Sequence, residues 1–406
     1  MAGPLEGIRV LEFTSGAFGG MCAMVLGDLG ASVIKVEGLE GEPLRYGNMP
    51  GRTYAVETTR DESYKWLAWN RSKQSLALDV KQPEGLEVAL KLAERADVLI
   101  KSFRPGVMER LGLGYDELSK GNPRLIYCSL SGYGEEGPLA HRICGDMWAQ
   151  AFGGVIAAQG TEGQPPYLNS VALSDHAGAV ISAFGVLAAL FAREKTGVGQ
   201  KISNNLVNSV MFMQSTEIAA YLMDDIKMVR RGRGWLCGQF PFGAFRAKDR
   251  DLVSVFGSRD EWPKLCDVLG IPELGRDPRY DTQEKREALK HELYPHLDAA
   301  FSRRTASEWV SIFRASKMRV DPAQTYDELC VHPQTQANDM VLTQEHPNRG
   351  KLRSVGVPVK FEKTPATPSA PPPLLGQHTR DILAELGYDA ARIKELATRA
   401  VVRLDD

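Results

Sequence analysis

Only six cysteines stand among the 406 residues, at positions 22, 128, 144, 237, 266 and 330, and no two form a C-x-x-C pair. That is too sparse for a disulfide framework, and zinc-ribbon and thioredoxin readings find no support. Reduced thiols in a cytoplasmic protein are the expectation. Charge of one sign is lacking too. Lys and Arg total 49 against 51 Asp and Glu, a net charge of -2, so a broad basic surface for nucleic acid is excluded. No basic segment followed by an apolar run opens the chain, so no signal peptide is expected. The longest apolar stretch, 177–192, contains Gly178, Ser182 and Gly185 and falls short of the roughly 20 residues a membrane span needs, so it reads as a buried helix. H-E-x-x-H, G-x-S-x-G and G-x-x-x-x-G-K-[ST] are all absent. Zincin, nucleophile-elbow and phosphate-loop chemistries therefore have no motif to rest on, and no metal is expected. Repeats and low-complexity tails are missing as well.

What is there fits an α/β protein. A length of 406 residues allows two to three domains. Ile8–Phe13 reads as a strand, Thr14–Gly20 as a glycine loop, Met21–Leu29 as a helix and Ala31–Glu37 as a second strand. Such a unit implies parallel strands with a right-handed crossover. Further strands are expected at 75–80, 97–100 and 125–130, with a helix opened by Pro83 between the first two. Repeated units of this kind make an open sheet, whose ligands bind at the carboxyl ends of the strands. The loops there are 13–20, 101–106 and 131–138. The glycines Gly16, Gly19 and Gly20 do not give the G-x-G-x-x-G spacing, so a nicotinamide dinucleotide is not indicated.

From about 245 the texture changes, within a candidate smaller domain at 225–325. Residues 243–247 and 252–256 read as a hairpin, followed by helices near 260–269, 283–301 and 306–313. Five prolines between 365 and 373 indicate an extended surface segment, and helices at 379–386 and 390–400 close the chain. Trp235, Phe240, Phe242 and Phe245 cluster in sequence and read first as hairpin core.

One local feature invites chemistry. In Leu173-Ser174-Asp175-His176, Asp175 precedes the long apolar helix. Ser174 or Asp175 would serve as its N-cap, worth about 1 kcal/mol. A carboxylate there also lies near backbone N–H donors and the positive end of the dipole. With a reference pKa near 3.9 it is about 99.9% ionised at pH 7, so it attacks without a partner base.

Five ordered motifs carry a resemblance. They are Pro4–Phe13 with Leu29–Glu37; Asp97–Ile100 with Phe103-Arg104-Pro105-Gly106 and Leu111-Gly112; Ser131-Gly132-Tyr133-Gly134 with Gly137-Pro138; Arg193–Gln200; and Leu374–Thr379 with Glu385–Tyr388. Along nearly its whole length the chain resembles the family III CoA-transferases, which include the formyl-CoA:oxalate and carnitine CoA-transferases. The resemblance implies a large open Rossmann-like parallel sheet domain (1–224, resumed at 326–406) and a smaller α+β domain (225–325). It implies an interlocked dimer, with itself or with a paralogue as in benzylsuccinate-type transferases.

The resemblance also implies acyl-CoA and a free carboxylic acid as substrates, with Asp175 as nucleophile, although glycine is frequent in the family where Ser174 stands. By similar transfer, CoA runs past Ala17, Phe18, Leu76, Asp79, Ser102, Phe103, Arg104, Arg110 and Tyr133. Guanidinium forks suit its phosphates and an apolar slot its adenine. Backbone N–H groups near Asp175 are expected to form the oxyanion site. Three departures stand out. Gly38 lies where formyl-CoA transferase has a basic residue. The family's glycine-rich catalytic loop is matched only loosely by Gly232–Gln239, in which Arg233 and Gln239 are the candidates to meet the acceptor acid. The racemase branch, the α-methylacyl-CoA racemases, uses a histidine where this chain has Gly145, so one of two bases for stereoinversion is missing. The rival readings are such a racemase and a non-catalytic subunit of a heteromeric transferase.

Overall fold

The computed structural model describes residues 3–46, 62–234, 240–255 and 261–405. The chain folds as two compact units: Met1–Gly153, Asn169–Met213 and Pro333–Asp406 form the first, Gly154–Leu168 and Gln214–His332 the second.

The first unit is built on a seven-stranded sheet. Its strands are β1 (Arg9–Phe13), β2 (Ser32–Glu37), β3 (Gln74–Leu78), β4 (Val98–Lys101), β5 (Ile126–Ser131), β6 (Lys201–Asn205) and the two-residue Val402–Arg403 at one edge. The spatial order is Val402–Arg403, β3, β2, β1, β4, β5, β6, and every pairing is parallel except the antiparallel Val402–Arg403 edge. Val10, Leu11, Val98, Leu99 and Ile100 are at most 2% exposed, as expected of strands covered on both faces. One face packs under the Pro83–Arg95, Thr379–Glu385 and Ala390–Thr398 helices, where Leu11, Leu76, Leu99 and Tyr127 share a core with Val88, Leu92, Ile382 and Leu396. The other packs under the Ala17–Asp28, Leu173–Thr196 and Leu206–Phe212 helices.

The Leu173–Thr196 helix is longer than the apolar run within it. By length and composition alone it would cross a membrane. Its inner side is core instead: Ala179, Ala183, Val186 and Ala189 are buried against the sheet. Its end is anchored. Buried Arg193 lies 2.9 Å from Asp97 Oδ1, and Gly197, at φ +77°, lets its N–H reach the Arg193 carbonyl at 2.8 Å. The motif 193–200 is thus a helix-to-sheet clasp.

The second unit holds a three-stranded sheet of β7 (Gly243–Arg246), β8 (Asp251–Val255) and β9 (Arg319–Pro322). The expected hairpin gains a third strand. Residues 154–168 join this unit because Gly232 donates to the Gly160 carbonyl at 2.9 Å and Arg230 to the Ala157 carbonyl at 3.0 Å. Phe240 and Phe245 are core: they pack on Tyr294, and Phe245 stacks on Phe301 at 4.6 Å. Trp235 lies outside the described residues.

Candidate active site

The strand order reverses between β1 and β4, so the loops after these strands flank the crevice where doubly wound sheets take ligands. The loop after β1 needs its glycines. Gly16 sits at φ +84°, and a Cβ on Gly19 would lie 2.4 Å from Thr14. The loop after β4 is tied to it: Ser15 N–H donates to Ser102 Oγ at 3.0 Å, and Ser102 N–H to the Phe13 carbonyl at 3.2 Å. Ala17, Phe18, Ser102 and Phe103 are therefore gathered at the reversal. Phe103 is 38% exposed, and Arg104 and Arg110 are exposed.

The structure places three of the expected residues as follows. Leu76 is fully buried in the core, because β3 is covered on both sides, so its side chain is not offered to a ligand. Asp79 follows β3, but its carboxylate closes a turn, accepting from Lys81 N–H at 3.1 Å and Gln82 Nε2 at 3.2 Å. Phe18 is buried, its ring against Gly178, where a Cβ would approach it to 2.7 Å. That close approach sets the glycine loop's helix against the helix bearing Asp175.

Asp175 lies in the first turn of the Leu173–Thr196 helix, and neither it nor Ser174 is the N-cap; Ala172 is, and no side chain of its own caps the helix. The cap comes from another helix. Asp146, at the start of the Asp146–Phe152 helix, takes Ser174 N–H at 2.8 Å, Asp175 N–H at 3.1 Å and Ser174 Oγ at 2.7 Å, all on Oδ1. Its Oδ2 accepts from Gln150 Nε2 at 2.6 Å, and the same Nε2 donates to the Val171 carbonyl at 3.1 Å. A carboxylate from position 146 thus does the work expected of 174 or 175, and leaves the Asp175 side chain half-buried at the helix start.

The expected oxyanion donors are correspondingly spent. Besides the two amides on Asp146, Leu173 N–H donates to Val171 at 2.8 Å and His176 N–H to Ala172 at 3.0 Å.

Tyr133 joins the cluster. Its ring meets Phe152 edge-on at 5.4 Å. Burial pushes the Cys144 thiol up, and the nearby Asp175 charge adds to this. Burial holds His176 below its usual range, against the pull of Asp146. The role of Asp146 is not apparent in the sequence; its one trace is an acidic residue after Gly145, at a helix start.

In the second unit Arg233 is engaged. Its guanidinium forks onto Asp298 at 2.7 and 3.0 Å and lies 3.8 Å from the Tyr294 ring. Gln239 lies outside the described residues. Among the described residues no group of three or more His, Cys, Asp or Glu is placed to hold a metal.

A mostly parallel sheet covered by helices on both faces makes the first unit an open α/β fold of the kind that binds ligands at the strand-order reversal. Known proteins narrow this. The family model described as CoA-transferase family III matches residues 5–379. The chain is 34% identical to succinyl-CoA:glutarate CoA-transferase of Mus musculus, over 98% of this chain and 90% of that protein. It is 32% identical to α-methylacyl-CoA racemase of Homo sapiens, over 98% and 97%. The crystal structure of a CAIB/BAIF family protein from Brucella suis superposes with a TM-score of 0.85 at 28% identity, covering 95% of this chain and all of that one. The chain belongs to CoA-transferase family III. It is an enzyme that transfers CoA.

Proposed function

We propose that the enzyme moves CoA from an acyl-CoA donor to a free carboxylic acid with Asp175 as nucleophile. The Asp175 carboxylate attacks the donor's acyl carbon, forming a mixed anhydride and expelling CoA thiolate. The thiolate attacks the aspartyl carbonyl, giving an aspartyl-CoA thioester and releasing the donor acid. The acceptor carboxylate attacks that thioester, forming a second anhydride and freeing the thiolate again. Thiolate attack on the acceptor's acyl carbon yields the new acyl-CoA and restores Asp175. CoA lies along the loops after β1 and β4, with Arg104 and Arg110 available to its phosphates.

The observation that carries this reading is the grip of Asp146 on the Ser174 and Asp175 amides, which orients a carboxylate that is not itself the cap. The same grip weighs against the racemase. Asp146 Oδ1 is held by three donors rather than poised over a proton, and Gly145 offers no base. A transfer assay with a panel of acceptor acids tests the proposal. Transfer by the wild type and none by Asp175→Asn supports it. An active Asp175→Asn, or α-proton exchange in deuterated water without an acceptor, overturns it.

The proposed assembly is a homodimer. Along the Leu173–Thr196 helix Val180, Phe184 and Phe191 are 52%, 70% and 65% exposed, a stripe at helical spacing that favours burial against a second copy. Phe184→Glu tests it by shifting the sedimentation mass toward a single chain.

A further inference from the structure

Below the first loop lies an ionic cluster that the proposed reaction does not use. Glu12 of β1, Lys35 of β2 and Lys73, next before β3, are buried, each with no exposed side-chain surface. Lys35 Nζ lies 2.8 Å from Glu12 Oε1, and Lys73 Nζ 2.8 Å from Glu12 Oε2. Three charges in a sheet interior are a poor choice for stability alone, since apolar residues of similar volume would serve as well or better. A hydrogen bond from each lysine to the backbone shows what they hold. Lys35 donates to the Thr14 carbonyl at 3.0 Å and Lys73 to the Gly20 carbonyl at 2.8 Å. Thr14 opens the loop after β1, and Gly20 lies in the first turn of the Ala17–Asp28 helix that follows it. The remaining partners lock the ammoniums in place: Asn70 Oδ1 on Lys73 at 2.8 Å, and Glu42 at 3.3 Å from Lys35.

We propose that Lys35 and Lys73, joined through Glu12, are positioning residues that hold the start of the loop after β1 and the first turn of the helix behind it, and so keep residues 14–20 in the shape that receives the CoA part of the substrate. This rests on the reading that the loop takes CoA. Gly16, at φ +84°, gives this turn conformational freedom to lose on binding, and fixing both its flanks beforehand removes part of that cost.

The cluster also has a pH signature. Burial brings Lys73 down to about 8, Lys35 adds to this, and Glu12 and Glu42 oppose it. Cys22, from the Ala17–Asp28 helix, also feels the Lys73 charge. A neutral Lys73 gives up its ion pair with Glu12.

The test measures KM for acyl-CoA, KM for the acceptor acid and CoA affinity by calorimetry. Lys73→Met is expected to raise KM for acyl-CoA at pH 7 about tenfold and leave the acceptor's KM within about twofold. Wild-type CoA affinity should weaken with a midpoint near pH 8, and Lys73→Met should lack that limb. Unchanged KM for acyl-CoA in folded Lys73→Met, or an alkaline limb that persists in it, overturns the proposal. Should Lys73→Met not fold, the wild-type calorimetric profile decides, a flat one overturning it. Gly16→Val separates the two readings. If it leaves CoA affinity intact, the loop is not the CoA site and both fail. If it abolishes affinity while Lys73→Met does not alter it, only the positioning role fails.

Discussion

Replacing Asp146 by Ala removes the cap that another helix lends to the helix of Asp175. Two backbone N–H groups and the Ser174 hydroxyl lose a shared acceptor, at 2.8, 3.1 and 2.7 Å, and Gln150 loses its carboxylate partner. Hydrogen bonds to a charged acceptor are worth about 1.5–3 kcal/mol each, but losses within one network do not add, and Asp146 is half-exposed, so water replaces part of what is lost. A cap deletion costs about 0.5–2 kcal/mol. Together these set the expected destabilisation near 2 kcal/mol, read as a lower urea midpoint at unchanged slope. Asp146→Asn keeps one acceptor oxygen and loses the charge, so about half that loss is expected. Catalysis should fall further than stability. A frayed first turn misplaces Asp175, so kcat should drop at least about tenfold, with KM for the acceptor little changed. Asp146→Ala as stable as wild type with full kcat would refute the reasoning.

Three further outcomes are expected. A Cβ on Gly38 meets nothing within 4 Å, so Gly38→Arg is accommodated; an added phosphate contact of about 1 kcal/mol should lower KM for acyl-CoA about fivefold, in steady-state kinetics. Gly178→Val presses on the Phe18 ring, 2.7 Å from where a Cβ would stand, and should cost about 2 kcal/mol in chemical denaturation. Lys73 is near 8 when folded and 10.5 when unfolded, so between these values the unfolded chain binds more protons, and stability should rise with pH by up to about 1.4 kcal/mol per unit. Lys35, raised by its acidic neighbours, works the other way only above 10.5; urea midpoints at pH 8, 9 and 10 should climb in wild type and stay flatter in Lys73→Met.

The strands legible in the sequence are the ones buried on both faces. β1, β2, β4 and β5 read as continuous apolar or β-branched runs because helices cover the sheet on each side. β6, Lys-Ile-Ser-Asn-Asn, carries no such run, since it is an edge strand alternating exposed and part-buried positions. The hairpin of Val341–His346 and Gly350–Val355 is largely exposed, so no apolar period marks it. Residues 154–168 read as part of the large domain because hydrogen bonds to 230–232, far along the chain, leave no local trace. The site divides the same way. Asp175 stands out as a carboxylate at a helix start, yet its standing as nucleophile rather than cap comes from the resemblance. The true cap, 28 residues earlier at Ser174's partner Asp146, is a tertiary contact. Similarity of position points to Leu76 and Asp79, but it does not say that one side chain faces the core and the other closes a turn.

The central claim is that Asp175 carries the acyl and CoA intermediates. The direct measurement incubates the enzyme with an acyl-CoA donor, traps with hydroxylamine or borohydride, and weighs the peptide containing Asp175. The account predicts a hydroxamate or a reduced alcohol at Asp175, formed only with donor present. An unmodified Asp175 peptide from enzyme that is turning over would contradict it.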